Sequence, residues 1–297
     1  ILFWIDAHPN ILMLPVEIII NALSSTYTTG WPLNLVGGSH YLSQNVPSSY
    51  LIINIFYKSP EYFLISYFIF IILFSFANNF FIKKFKFIYY KLLLILFILI
   101  FPNLLLIIIP YPIYDGLRLF LWFVPYLCII PGLTIYYFIE NISYTKSKVS
   151  LIFLSFLIFY FLFNFFSYTP YQYAYLNYLN GQKDNRYKKF ENDYWGSSLK
   201  ELVKKSNFKN DKTILISTCG ASVDVLKYYF KKKEFLNFNF VKPEDAEYMI
   251  MTNRSVFINS TTTKAEDATT CYEKYDGEDL FLVRRNGQSL SVLRKIK

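Results

Sequence analysis

The chain has 297 residues, of which 54% are hydrophobic, 21% aromatic and 17% charged, and its formal net charge is +9. This composition, the long uncharged runs and a positive mean hydropathy exclude an ordinary soluble domain and predict a polytopic membrane protein. The basic residues are spread over short loops and a C-terminal segment without a basic–aromatic recognition motif, so we expect no nucleic-acid partner.

The N-terminal part is expected to lie outside the hydrocarbon. The first residues, ILFW, resemble the end of a helix, and the chain has neither an initial Met nor a basic leader, so we expect it to be a fragment. PNILMLPVEIIINAL (9–23) is too short to cross a membrane, and we predict an interfacial or re-entrant helix. GWPLNLVGGSHYLSQNVPSSY (30–50) is rich in Gly, Pro, Asn and Ser, which is typical of an irregular loop.

About four transmembrane helices are predicted next. Four apolar segments are long enough to cross a membrane: about 61–82, 90–110, 117–139 and 149–167. The first has a start signal, in which Ser59 is the expected cap, Pro60 takes the first helical position and Glu61 lies in the first turn. Lysines cluster in the connection between the first two segments and in the one between the last two, which predicts that both connections are cytoplasmic.

A small α/β domain is expected on the outer side after the last span. We predict a transmembrane domain over 1–167, an aromatic interfacial connector over 168–195 and an extracytoplasmic α/β domain over 196–297. The domain prediction uses helical segments SSLKELVKK and SVDVLKYYFKKK, strand segments TILIST and EYMIMT, and a hairpin at Asn286-Gly287. The connector contains five tyrosines, which are interpreted as an interfacial belt or, alternatively, as rings for sugar stacking: Tyr168, Tyr171, Tyr173, Tyr175 and Tyr178.

The cysteine and histidine residues provide few signals. Cys219 and Cys271 are able to form a disulfide in an oxidising compartment, but the sequence leaves their pairing open, and Cys128 is expected to be buried within a span. STCGAS (217–222) is interpreted as a plain strand-to-helix turn rather than a phosphate-binding loop. The chain has two histidines and no familiar metal-binding motif, so no metal site is predicted.

Asp115 and Arg118 form the most informative polar pair, because they lie within one helical turn at the outer end of an apolar span. One interpretation is an interfacial ion pair, with Asp115 complementing the helix start. The other is a site for a lipid phosphate, which an arginine is able to bind with two hydrogen bonds. The residues alone leave both open.

Several segments together resemble a known family. YDGLRLFLWFVPYL (114–127), the preceding loop, TPYQYAYLNYLNG (169–181) and FENDYWGSSLKEL (190–202) are similar to the C-terminal half of bacterial polytopic glycosyltransferases. These enzymes are related to protein O-mannosyltransferases and aminoarabinose transferases and have the C-type glycosyltransferase fold. The resemblance implies a multi-pass protein of the bacterial inner membrane whose C-terminal domain is periplasmic.

The resemblance also implies a reaction. A sugar would move from a polyprenyl-phosphate donor to a glycan, lipid or protein acceptor on the outer face, and the general-base Asp is expected upstream of Ile1. Asp6 and Glu17 are not assigned that role. Arg118 is the candidate for stabilising the leaving phosphate, Asp115 for orienting Arg118, and His40 and Tyr114 for further substrate contacts. Leu119 stands where the family often has His, and participation of a divalent cation is left open.

Two other classes of protein are weighed against the glycosyltransferase. A transporter or flippase for a lipid-linked substrate requires a polar path, whereas the predicted spans contain only scattered Asn and no internal ionisable residue. A non-catalytic anchor would display the α/β domain to a partner. Asp193, Tyr194 and Trp195 are interpreted as packing residues between this domain and the membrane part.

Overall fold

The structure is a computed structural model, and it describes only part of the chain. The described residues are residue 16 and the ranges 31–108, 112–145, 147–193, 195–206, 213–235, 237–259 and 263–296. Apart from Val16, the predicted interfacial helix at 9–23 lies outside these residues, as do Asp6, His8, Glu17 and Tyr194.

Long apolar helices form the first part of the described chain. The helices are α1 (Tyr50–Lys58), α2 (Glu61–Phe76), α3 (Asn78–Lys84), α4 (Ile88–Ile108), α5 (Val124–Thr145) and α6 (Lys148–Tyr168), with a 3-10 turn at Arg118–Phe123 before α5. Three helical segments are long and apolar enough to cross a membrane: Ile88–Ile108, Arg118–Ile142 and Lys148–Tyr168. Helices α1 and α2 qualify only as a pair, and they are bent by 106°. The described helices therefore provide three candidate spans, or four if this pair is one span.

The predicted start of the first span is off by one residue: Glu61 lies in the first turn, as predicted, but the cap is Pro60 and not Ser59. Ser59 ends α1, where its N–H donates to the carbonyl of Ile55 at 3.0 Å, and Pro60 occupies the cap position of α2. A residue before proline is held in extended conformation by the proline ring, and Ser59 has ψ 141°. The predicted span 61–82 is also interrupted, because α2 ends at Phe76 and α3 begins at Asn78.

The two lysine-rich connections lie at the same end of the helices. The ammonium of Lys84, the last residue of α3, forms an ion pair at 3.2 Å with Glu140 near the end of α5. At the opposite end, the turn before α5 contacts the C-terminal domain through Asp115 and Arg254. The charged connections and the C-terminal domain are therefore separated by the length of the helices.

The segment predicted to be an irregular loop contains a β-hairpin instead. Strands β1 (Leu33–Val36) and β2 (Ser39–Leu42) pair antiparallel, and the β1 side chains are buried. Gly37 and Gly38 form the two-residue turn with φ of 63° and 95°. A glycine pair suits this turn because both of its central residues have positive φ.

The α/β domain predicted for the C-terminal part is present. Its helices are α7 (Leu199–Lys205), α8 (Val223–Lys232) and α9 (Cys271–Lys274), and its strands are β3 (Ile214–Cys219), β4 (Phe238–Phe240), β5 (Tyr248–Thr252), β6 (Ser255–Phe257), β7 (Ala268–Thr270), β8 (Glu278–Arg285) and β9 (Gln288–Lys295). The main sheet has the order β4-β3-β5-β9-β8. The predicted hairpin is confirmed, with Asn286 and Gly287 at φ of 48° and 78°.

The two strands that follow β3 in the chain, β4 and β5, lie on opposite sides of it in the sheet. From β3 the chain passes through α8 to β4 on one side, whereas β5 pairs with β3 on the other side, and all three strands are parallel. The loops that leave β3 and β5 therefore diverge and leave a crevice at the carboxyl ends of these strands. Such crevices are the usual ligand sites of open α/β sheets.

The connector tyrosines form hydrogen bonds with carboxylates and other polar groups of the protein. The hydroxyl groups of four of them donate to side chains of neighbouring elements: Tyr168 to Gln288, Tyr171 to Glu201, Tyr173 to Asp193 and Tyr175 to Glu61. Only Tyr178 is largely exposed. A buried hydroxyl requires a partner, so these rings are placed by hydrogen bonds between the helices and the α/β domain.

Two of the three cysteines form a disulfide, and the third is free and exposed. A disulfide joins Cys219 at the end of β3 to Cys271 at the start of α9, which settles the pairing that the sequence left open. The expectation that Cys128 is buried is wrong, because it lies on the exposed face of α5. Cys128 belongs to a segment that is long and apolar enough to cross a membrane, and the exposed face of such a segment suits apolar side chains.

Candidate functional site

The YDGLR segment forms a tight turn held against α1. Asp115 and Gly116 both have positive φ, 58° and 65°. The Gly116 N–H donates to the Tyr50 hydroxyl at 2.9 Å, and a Cβ at Gly116 would lie 2.5 Å from Nζ of Lys58. Asp adopts the left-handed conformation more readily than most residues, and glycine adopts it without strain. The local sequence therefore suits this turn.

Asp115 links the two parts of the protein. Its carboxylate accepts a hydrogen bond from Nη1 of Arg118 at 3.2 Å, as the sequence spacing suggested, and another from Nη1 of Arg254 at 2.5 Å. Asp115 and Arg254 are buried, whereas the Arg118 side chain is 46% exposed. A charge-assisted pair away from water is stronger than a surface pair. The buried pair thus attaches the turn before α5 to the α/β domain.

Glu191 completes this buried cluster. Its Oε1 accepts from the backbone N–H of Ser255 at 2.7 Å, and its Oε2 lies 3.4 Å from Nη1 of Arg254. Burial raises the pKa of the Glu191 carboxyl, and the positive charge of Arg254 opposes that effect. Lys58 interacts electrostatically with both Glu191 and Asp115. The cluster therefore combines two carboxylates with the cations Lys58, Arg118 and Arg254.

The guanidinium of Arg254 has binding capacity left. Its Cζ lies 4.3 Å from the centre of the Trp31 ring, a distance that suits a cation–π contact. Within the described part of the chain, both of its side-chain hydrogen bonds use Nη1. Because a guanidinium carries five N–H donors, Nε and Nη2 remain available to a ligand.

A cavity of about 390 Å³ opens in the crevice between β3 and β5. Arg254, Trp31 and Trp195 line it, together with Gly220 and Ser222 at the start of α8. We call it the Arg254 cavity. Its composition, two indole rings beside a buried arginine and a helix N-terminus, suits a ligand that combines a sugar-like ring with an anionic group.

Gly220 allows Arg254 to reach this position. Gly220 has φ 69°, and a Cβ there would lie 2.6 Å from Cγ and 2.7 Å from Cβ of Arg254. The Thr252 hydroxyl donates to the Gly220 carbonyl at 2.7 Å, and the Cys271 N–H donates to the Arg254 carbonyl at 2.9 Å. The STCGAS turn is therefore a strand-to-helix turn, as predicted, and it also forms one wall of the cavity.

The other candidate residues lie near the cavity but do not line it. Arg118 lies at its edge, with Cζ 5.8 Å from the centre of the Trp195 ring. Nδ1 of His40 is 3.1 Å from the Ser255 hydroxyl, and burial lowers the His40 pKa while Glu273 opposes this. Tyr114 is half-buried in the turn.

Trp195 and its neighbour Asp193 have different roles. Trp195 is 54% exposed, and its ring lies 5.3 Å from that of Tyr173. Asp193 is fully buried and accepts hydrogen bonds from the backbone N–H groups of Ser197 and Ser198 at 3.0 and 3.1 Å. Asp193 therefore stabilises the turn before α7, whereas Trp195 presents a ring to the Arg254 cavity.

Sequence reasoning missed three residues of this arrangement. Arg254 had no motif around it, Glu191 lay in the FENDYWGSSLKEL segment without being assigned a role, and Trp31 lay in a segment interpreted as a loop. Their partners are distant in the chain: Arg254 is 139 residues from Asp115 and 63 from Glu191. One available signal was that Arg254 lies two residues after the end of a predicted strand, where α/β sheets place ligand-binding residues.

Across the described residues, no three His, Cys, Asp or Glu side chains come together in an arrangement that would hold a metal ion. Comparison with known proteins adds no identification: no protein-family description, curated protein or solved structure matches this chain.

Proposed function

We propose that this chain is part of a bacterial inner-membrane glycosyltransferase that transfers a sugar from a polyprenyl-phosphate donor to a glycan, lipid or protein acceptor on the outer face. The observation that carries the proposal is that the Asp115 carboxylate pairs with two arginines, Arg118 and Arg254. It holds Arg118 and Arg254 at the junction between the apolar helices and a cavity with two tryptophan rings. The resemblance described from the sequence supports the same assignment.

The arrangement suits the charge changes of this reaction. Attack on the anomeric carbon breaks its bond to a phosphate oxygen, so negative charge develops on the departing lipid phosphate. Arg118 is exposed enough to contact that phosphate, and Asp115 keeps its guanidinium at the edge of the cavity. The rings of Trp31 and Trp195 offer apolar faces for a sugar ring. The acceptor hydroxyl also has to lose a proton, and none of the described carboxylates is assigned that role.

The proposal is tested with the full-length protein in membranes supplied with a labelled polyprenyl-phosphate sugar. Arg118→Ala is expected to reduce transfer by about a hundredfold, because one group that stabilises developing charge typically contributes that much. Arg284→Ala is the matched control, since Arg284 is an exposed arginine on β8. Both variants are checked for membrane insertion, and the product is identified.

Two results would contradict the proposal. Transfer by Arg118→Ala at the wild-type rate would remove the phosphate role from Arg118. A correctly inserted wild-type protein that transfers no sugar from any polyprenyl-phosphate donor would favour the non-catalytic anchor.

A further inference from the structure

The charged cluster next to the Arg254 cavity has more positive than negative groups. Two carboxylates lie among three cations: Asp115 and Glu191 among Lys58, Arg118 and Arg254. When all five groups are ionised, three positive charges and two negative charges leave a formal charge of +1. A charge away from water is unfavourable without a counter-ion. The cluster therefore favours one further anion.

Arg254 is the residue that brings this positive charge to the cavity. Its side chain lines the cavity and is only 5% exposed. Nη1 donates to both carboxylates, whereas Nε and Nη2 make no hydrogen bond to any described residue. These two nitrogens lie side by side on one edge of the planar guanidinium, an arrangement that suits the two oxygens of a carboxylate. An anion in the cavity would therefore accept a pair of hydrogen bonds.

The rest of the cavity lining offers no opposing charge. The other described residues that line it are aromatic, aliphatic, glycine or hydroxyl residues, and none of them is acidic. Ser222, the cap residue of α8, makes no side-chain hydrogen bond to the first turn of that helix. Asp224 lies in that turn, but it is exposed and does not line the cavity. An anion bound to Arg254 would thus meet no like charge on the cavity wall.

The size and the aromatic rings of the cavity suit a single sugar ring. Its volume of about 390 Å³ falls within the range of roughly 300–1,000 Å³ that is usual for small-molecule sites. Trp195 lines the cavity and is 54% exposed, so its ring has surface left for a ligand. An aromatic face packs well against the C–H groups of a sugar.

The two arginines bound to Asp115 offer separate places for two anionic groups. Arg118 donates to Oδ2 of Asp115, and Arg254 donates to Oδ1. The Arg118 side chain is 46% exposed at the edge of the cavity, whereas that of Arg254 is buried in its wall. If Arg118 contacts the donor phosphate, Arg254 is left for an anionic group on the sugar itself.

We infer that the sugar held in the Arg254 cavity is a hexuronic acid, whose carboxylate accepts hydrogen bonds from Nε and Nη2 of Arg254 while its ring packs against Trp195. The carboxylate of a hexuronic acid is attached to a ring carbon other than the anomeric one. It is therefore able to contact Arg254 while the donor phosphate contacts Arg118. The inference rests on the proposed function in identifying this sugar as the one transferred.

The experiment titrates the purified full chain with methyl glucuronide, methyl glucoside or methyl glucoside 6-phosphate and measures binding by ligand-observed NMR. A polyoxyethylene detergent is used because it contains no sugar that would compete. The glucuronide is expected to bind at least about tenfold more tightly than the glucoside, the usual effect of hydrogen bonds to a charged group. It should also bind more tightly than the phosphate, whose second negative charge exceeds the formal charge of the cluster.

Ser222→Asp and Ser222→Asn form a matched pair, because both residues are good helix caps and they differ in charge. The Asp variant is expected to bind the glucuronide about fivefold more weakly than the Asn variant, because its carboxylate repels that of the ligand. The two variants should bind the glucoside equally. This comparison leaves the buried Arg254 pair intact, so it covers the case in which an Arg254 variant does not fold.

Arg254→Lys tests the pair of hydrogen bonds directly. Lysine keeps a positive charge opposite Asp115 but has no paired planar donors, and we expect it to weaken glucuronide binding about tenfold. Lys227→Met is the control for nearby charge, because Lys227 is exposed on α8 and does not line the cavity. It is expected to bind within about twofold of wild type.

Four results would overturn the inference: no binding of the glucuronide, equal binding of glucuronide and glucoside, tighter binding of the 6-phosphate, or equal glucuronide binding by the two Ser222 variants. A loss in Lys227→Met as large as that in Arg254→Lys would also overturn it, because it would indicate nonspecific charge attraction. Failure of the proposed function has a different signature. Selective glucuronide binding without sugar transfer would refute the transfer reaction, whereas transfer without any preference for the carboxylate would refute this inference alone.

Discussion

Replacement of Gly220 by alanine tests how the Arg254 cavity is built. Gly220 has φ 69°, and a left-handed conformation costs a residue with a Cβ about 1–2 kcal/mol. The new Cβ would also lie 2.6 Å from Cγ of Arg254 and 2.8 Å from Oγ1 of Thr252. Such overpacking typically costs about 1–3 kcal/mol. Gly220→Ala is therefore expected to lower the free energy of unfolding by about 2–5 kcal/mol.

The structure offers a matched control at Gly37. This glycine has φ 63°, close to that of Gly220, but a Cβ there would have no heavy atom within 4 Å. Gly37→Ala therefore carries only the backbone cost of about 1–2 kcal/mol. The difference between the two variants isolates the contact with Arg254.

Thermal unfolding of both purified variants in detergent provides the measurement. At about 3 °C per kcal/mol, the midpoint should fall by about 6–15 °C for Gly220→Ala and by about 3–6 °C for Gly37→Ala. Equal losses in the two variants would refute the argument, because they would mean that the stem of Arg254 does not pack against Gly220.

The buried cluster and the acid stability provide two more predictions. Arg254→Met should lower stability by about 3–5 kcal/mol because Asp115 loses its buried partner, and adding Asp115→Asn should recover at least about 1 kcal/mol in a thermal double-mutant cycle; strictly additive losses would argue against the pairing. Stability should also fall as the pH drops from about 4.5 towards 2: burial would raise the pKa of Glu201, but hydrogen bonds led by that from Arg285 hold it at about 2. Since each pKa unit corresponds to 1.36 kcal/mol and solvent screens this partly exposed carboxylate, its contribution above pH 4.5 that is lost on protonation is about 1–2 kcal/mol. Melting of Glu201→Gln should therefore depend less on pH over this range, whereas the exposed control Glu266→Gln should behave like wild type, and an unchanged acid profile in Glu201→Gln would contradict the assignment.

Local patterns predicted much of the fold. The helical and strand segments of the α/β domain were recognisable from their hydrophobic spacing, and Asn286-Gly287 marked its hairpin because both residues tolerate positive φ. The β1–β2 hairpin was missed although Gly37-Gly38 carries the same kind of signal. There the Gly, Pro, Asn and Ser content outweighed the two short strands. The interruption after Phe76 had no proline or glycine to announce it.

Of the contacts in the candidate site, the sequence predicted only the one between residues close together in the chain. Asp115 and Arg118 are three residues apart, so helical geometry alone suggested their contact, and the structure has it. Arg254 and Glu191 bring their charges to the same place from separate loops of the chain. Trp195 was interpreted as a packing residue, yet it lines the cavity and is more than half exposed.

The sequence by itself determined the membrane-like composition, the order of the helices and strands, and the polar turn at the edge of an apolar span. These features depend on residues within a few positions of one another, through hydrophobic burial and turn geometry. Only the tertiary structure decided that Arg254 is the buried partner of Asp115, that Cys219 joins Cys271, and that the tyrosines of the connector hold carboxylates. Those contacts join residues far apart in the chain, and a charge or a hydroxyl has no sequence pattern that identifies its distant partner.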